Sequence, residues 1–163
     1  MNEMSQKKRK SSPQQGKNYM LMGLGNICRG DDGIGSFIAQ NFQSDDWLVL
    51  DCGTTPENFT SLVKKTQPEY LVIVDAAQMN LKPGEFRVIP SEKIDKFYLT
   101  THNIPLSLLI SYLDKWVGKT ILIGIQPERM EDFQRISERV QHSARNIIEI
   151  LKGKSFQELE GIS

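Results

Sequence analysis

The chain has 163 residues, enough for one domain with a proper core and too few for two comfortable ones. Twenty Lys and Arg balance twenty Asp and Glu, and 39% of the residues are hydrophobic, which excludes bulk disorder and a highly charged nucleic-acid binder as first readings. No apolar run approaches the ~20 residues of a membrane span, no apolar N-terminal segment suggests a secretory signal, and Cys28 and Cys52 form neither a disulfide framework nor a zinc pattern. The expectation is a cytoplasmic protein.

Residues 1–18 differ from the rest. They hold Lys7, Lys8, Arg9, Lys10 and Lys17 against Glu3, a net charge of +4. Such a patch could touch an acidic partner or nucleic acid, but a polar, disordered tail is the plainer expectation. Tyr19 to Leu24 is an apolar run ending in glycines, as a buried strand would. From Asp32, the residues Ile34, Phe37, Ile38 and Phe42 recur at helical spacing. Trp47 to Leu50 is a second strand, closed by Asp51-Cys52-Gly53. Thr55-Pro56-Glu57 reads as N-cap, first helical position and acidic first turn, with Phe59, Leu62 and Val63 facing inward. Tyr70 to Val74 is the strongest strand signal and ends at Asp75.

Phe86 to Ile89 follows Asp75 after only ten residues. A parallel crossover needs a dozen or more, so this strand is expected to run antiparallel to its neighbour. Pro105 opens a helix with Leu106, Leu109, Ile110 and Leu113 on one face. Thr120 to Ile125 is the last strand, and Phe133, Ile136, Val140, Ala144, Ile147 and Leu151 stripe a long final helix. Residues 153–163 read as a polar tail. Continuous apolar runs suit strands covered on both faces. The sum is one domain over residues 19–152: a three-layer α/β/α fold with about four helices on a five-stranded, mostly parallel sheet with one antiparallel strand, of the phosphorylase/hydrolase-like kind.

Ligands in such sheets sit beyond the carboxyl ends of the parallel strands. Unusual polar residues recur there: Asp31 and Asp32 after the first strand, Asp51 after the second, Asp75 after the third, and His102 before the Pro105 helix. Residues 91–101 can span ~36 Å when extended, so His102 can return to the edge that holds Asp32 and Asp75. Two carboxylates and an imidazole suit a divalent transition metal with open coordination positions. Each residue also has a plainer reading. Asp32 and Asp31 would be favoured at a helix start by its dipole, and His102 could cap the next helix. Asp75 is harder to dismiss, because a carboxylate at a buried strand end needs a partner. His142, between Val140 and Ala144, belongs on the solvated face.

Other chemistries fit less well. Gly23-Leu24-Gly25 after a strand suggests dinucleotide binding, with Asp51 as the ribose acid, but Cys28 stands where the third glycine is needed and two acids would repel a pyrophosphate. No P-loop motif exists. Asp51-Cys52-Gly53-Thr54 is a single copy of an aspartic-protease-like loop, where that chemistry needs two. Cys28 or Cys52 with His102 lacks an evident orienting group.

Taken together, Gly23-Leu24-Gly25-Asn26, Gly30-Asp31-Asp32-Gly33-Ile34-Gly35, Ile73-Val74-Asp75-Ala76, Leu81-Lys82-Pro83-Gly84-Glu85 and Thr100-Thr101-His102-Asn103-Ile104-Pro105-Leu106 resemble the signature of the endopeptidases that mature nickel–iron hydrogenases. With Asp51 to Asn58 and Gly124-Ile125-Gln126-Pro127, the likeness is to the branch serving hydrogenase 3, the formate hydrogenlyase type. The resemblance implies an aspartyl-type endopeptidase and enzyme activator. It would remove a C-terminal peptide from a hydrogenase large-subunit precursor after nickel insertion, with nickel as the recognition element. It implies Asp32, Asp75 and His102 as the catalytic, nickel-binding set, with Asn26, Asp31, Asp51, Gly53, Thr54 and Gln126 as accessory or substrate-gripping groups. The nickel would arrive with the substrate, so no tightly bound metal is expected at rest, and the enzyme is expected to act as a monomer without nucleic acid.

Overall fold

The structure is a computed structural model that describes residues 17–99 and 104–160. In chain order it runs β1 (Tyr19–Leu24), a 3-10 turn (Gly30–Gly33) leading into α1 (Ile34–Gln40), and β2 (Trp47–Gly53). A second 3-10 turn (Pro56–Phe59) then leads into α2 (Thr60–Thr66), followed by β3 (Tyr70–Gln78), β4 (Phe86–Val88) and a third turn (Ser91–Lys96). The rest is β5 (Tyr98–Leu99), α3 (Leu106–Leu113), β6 (Lys119–Ile125), α4 (Glu138–Lys152) and α5 (Phe156–Glu160).

The sheet order is β2-β1-β3-β6-β4. The first four strands are parallel, and β4 runs antiparallel to β6, as the short link before it requires. Side chains alternate between two buried faces. Met22, Ile73 and Leu122 pack under α2 and α3, whereas Leu21, Val72, Val74 and Ile123 pack under α1, α4 and α5. Burial on both faces explains why these strands read as unbroken apolar runs.

Glycine permits the closest contact between layers. A Cβ on Gly35 would lie 2.1 Å from the Leu24 carbonyl oxygen and 2.4 Å from that of Val74. The start of α1 therefore presses directly on β1 and β3, with no side chain between them.

Three expectations need correction. The final helix begins at Glu138, so Phe133 and Ile136 lie in the preceding loop; Phe133 is 92% exposed and has a left-handed φ of 62°. Ser137, extended at ψ 151°, breaks the helical run because its polar groups are drawn to Asp31. The C-terminal stretch is not merely a polar tail. Phe156 stacks on Tyr70 at 4.5 Å and on Tyr19 at 5.9 Å, and Leu159 is fully buried. Finally, the two-residue β5 pairs antiparallel with the end of β3, a strand too short to show in the sequence. The basic segment expected as a tail lies outside the described residues, apart from Lys17 and Asn18.

Candidate active site

The third strand does not end at Asp75, as its apolar run suggested, but continues to Gln78; β1 ends beside Val74 and Asp75, so Asp75 lies within β3 while the loop after β1 brings Asp32. Asp75 lies on the face of β3 that carries Ile73 and Ala77, under α2 and α3. Asp32 lies in the turn Gly30–Gly33, which packs against β3. The Gly35 contacts with Leu24 and Val74 fix this approach, as does Gly25, whose Cβ would fall 1.8 Å from the Asp32 carbonyl oxygen at a φ of 129°. Both acids are fully buried. The backbone N–H of Asn26 donates to Asp32 Oδ2 at 3.3 Å, and the Asn26 side chain accepts the Cys28 N–H at 2.9 Å, closing the loop. Burying carboxylates is costly unless cations, hydrogen-bond donors or a metal compensate.

His102 lies outside the described residues. The chain on either side of it is informative. Leu99 pairs with Ala77 in antiparallel sense, so β5 is directed along β3 toward Asp75, and α3 then covers the face that holds Asp75.

Asp31 is oriented differently from its neighbour. Its buried carboxylate accepts the backbone N–H groups of Glu128 (2.8 Å), Arg129 (3.0 Å) and Ser137 (2.6 Å) and the Ser137 hydroxyl (2.9 Å). It fastens the β6–α4 loop to the turn that carries Asp32. The Asp31 N–H donates to the Arg129 carbonyl and the Gly30 N–H to that of Gln134, and Arg29 pairs with Asp132 at 3.4 Å. The sequence reading placed Asp31 beside the site but missed Ser137, whose position just before a glutamate-led helix resembles an ordinary N-cap.

Gln126 is a strut. Its Oε1 accepts the N–H groups of Met79 (2.8 Å) and Leu81 (3.3 Å), and its Nε2 donates to Gln78 Oε1 at 2.8 Å, joining the ends of β3 and β6. Asp51 is exposed and accepts from Gln40 Nε2 at 3.0 Å. Its register line through Gly23 to Val74 puts it on the opposite sheet face from Asp75. Gly53 adopts a left-handed φ of 53°, and its carbonyl accepts the Gly25 N–H at 2.9 Å, which ties the Gly53-Thr54 corner to the first loop. The cysteines contribute no evident nucleophile. Burial, reinforced by the Asp51 charge, pushes the Cys52 thiol far above its ordinary range, and Cys28 is on the surface.

Among the described residues no three His, Cys, Asp or Glu side chains form a metal-binding group. The described portion of the expected set is Asp32 and Asp75, oxygen donors of the kind that divalent cations accept alongside imidazole.

The family model described as "Hydrogenase maturation protease" matches residues 34–154. The hydrogenase 3 maturation protease of Escherichia coli K12 is 35% identical over 138 residues, covering 82% of this chain and 88% of the relative. A crystal structure of the hydrogenase 3 maturation protease superposes with a TM-score of 0.78 at 33% identity, over 85% of this chain and 91% of that one. The NiFe hydrogenase maturation protease from Thermococcus kodakarensis KOD1 gives 0.73 at 30% identity, over 85% and 92%. With this fold, a buried acid within β3, another in the turn packed against it, and a match over most of its length, the chain belongs to the hydrogenase maturation protease family and is a peptidase.

Proposed function

We propose that this peptidase removes the C-terminal extension of a nickel–iron hydrogenase large-subunit precursor after nickel has been inserted. It grips the substrate's own nickel through Asp32, Asp75 and His102. The observation that carries the reading is the pair of fully buried carboxylates, Asp75 within β3 and Asp32 in the turn that packs against β3. Two acids and one imidazole leave coordination positions for ligands from the substrate. Nickel so held would supply Lewis acidity to the scissile carbonyl or to an attacking water. The chain's own residues do the rest. Asp31 holds the β6–α4 loop against the Asp32 turn, Gln126 fixes the ends of β3 and β6, and Asn26, Gly53 and Thr54 border the client's approach, while Asp51, on the opposite sheet face, is tied to Gln40 instead. The enzyme works as a monomer in the cytoplasm. A dinucleotide-binding role is disfavoured, because the pyrophosphate would meet acids at the first glycine loop.

The test is incubation with nickel-loaded and nickel-free precursor, with the product weighed by mass spectrometry. Only the loaded precursor should shorten. Asp32→Asn, Asp75→Asn and His102→Ala should each abolish processing while the far-ultraviolet circular dichroism stays unchanged. Equal cleavage of nickel-free precursor would remove the metal from recognition.

A further inference from the structure

The antiparallel strand β4 is the last in its sheet, and no further strand pairs with it among the described residues. Ile89 donates to the Leu122 carbonyl, and Gln126 donates to that of Glu85. Residues 85, 87 and 89 thus turn their backbone groups toward β6, and the alternation of an antiparallel ladder turns those of Phe86 and Val88 outward. The Arg87 guanidinium bends over this rim to donate to the Phe86 carbonyl at 2.8 Å.

A cavity lies on each side of the rim. One, of about 370 Å³, is walled by Met79, Leu81, Ile89 and Phe97, with Arg87 and Lys93 as its charged groups and no acid. The other, of about 580 Å³, is bounded by Phe86, Glu138, Arg139 and His142. An outward backbone row with a cavity on either face is the arrangement that receives an extended peptide. Main-chain bonds give affinity, and successive side chains enter opposite cavities.

The rim is also aligned with Asp75. Asp75 pairs with Gly124 and Gly124 with Arg87, so the three share one register line. A strand added beyond β4 would lie three strand spacings, roughly 14 Å, from β3 at that level, a gap that about four extended residues cross.

We propose that the outer edge of β4 is an exosite that takes an extended segment of the client polypeptide as an added strand. An apolar side chain of that segment enters the Met79–Phe97 cavity, beside a carboxylate that meets Arg87 and Lys93. Charge selects this occupant. The chain's own N-terminal segment is cationic, and a second copy paired across a two-fold axis at this rim would bring Arg87 against Arg87. The inference rests on the client being a protein precursor, as in the reading above.

Hydrogen exchange of the full-length enzyme, with and without nickel-loaded large-subunit precursor, tests it. The Phe86 and Val88 amides should slow on addition of precursor. Val88→Pro removes the outward N–H at a position where an edge strand tolerates proline, with Val88→Ala as the control for the side-chain packing it also loses, and of the two only the proline variant should raise KM about tenfold with kcat retained. Arg87→Glu should do the same. Asp75→Asn should lose kcat yet keep the exchange protection, which separates docking from cleavage. Precursor docking without cleavage by the wild type would sink the functional reading and leave the exosite standing. Unchanged exchange at Phe86 and Val88, wild-type KM in both Val88→Pro and Arg87→Glu, or protection that grows with enzyme concentration in the absence of precursor would each overturn the exosite.

Discussion

Asp31 and Ser137 meet side chain to side chain and side chain to backbone, at 2.9 Å and 2.6 Å, although 106 positions separate them. Asp31→Asn keeps the shape but turns an amide donor toward N–H groups that need acceptors. The cost should be about 3 kcal/mol, against about 1 kcal/mol for Ser137→Ala, which loses one hydroxyl bond. Urea denaturation of both variants measures the difference, and an Asp31→Asn variant as stable as wild type would remove Asp31 as the loop's fastening.

Gly35→Ala places a methyl group against two strand carbonyls at 2.1 and 2.4 Å, which neither strand can yield without moving. Its destabilisation should reach about 3 kcal/mol or more. Gly53→Ala meets nothing within 4 Å and should cost only about 1 kcal/mol, for its left-handed backbone. Thermal melts rank the two, and the expected order reverses if α1 does not sit directly on β1 and β3.

Cys52 supplies a pH dependence. Burial raises its thiol above the ordinary value of 9.0. Below pH 9 both folded and unfolded chains hold the proton, and the contribution is constant. Above it the unfolded chain releases the proton and the folded one retains it, so stability declines by up to about 1.4 kcal/mol per pH unit. Cys52→Ala should flatten that decline between pH 9 and 10 in denaturant titrations. In the native protein iodoacetamide should label Cys28 and spare Cys52.

Phe133 is exposed and carries a left-handed backbone, a conformation that bulky side chains resist. Phe133→Gly removes almost no buried surface and relieves the strain. Stability should hold or rise, by as much as about 1 kcal/mol. A calorimetric loss of that size instead would mean that the ring is packed.

Much of the fold was legible because its causes are local. Apolar runs such as Tyr70 to Val74 need cover on both faces, and the ten residues before Phe86 are too few for a parallel return. The start of the final helix was not legible. Phe133 and Ile136 continue the spacing of Val140 and Ala144, and only the distant pull of Asp31 on Ser137 delays the start of the helix to Glu138, five residues after the pattern begins. The same bond divides two adjacent, chemically identical aspartates into a loop fastener and an acid held by the first loop, which no reading of Asp31-Asp32 by itself could do. Phe156 and Leu159 are too sparse among polar neighbours to announce a helix; their burial comes from Tyr19, Tyr70 and the α4 side of the sheet.

The long tie from Asp31 to Ser137 also bears on biogenesis. Until Ser137 and the start of α4 emerge from the ribosome, the turn bearing Asp32 lacks the loop that braces it. A nascent chain thus lacks this brace on the Asp32 turn through most of its synthesis, and a fragment ending before Ser137 would retain both buried acids but not the loop that holds the turn.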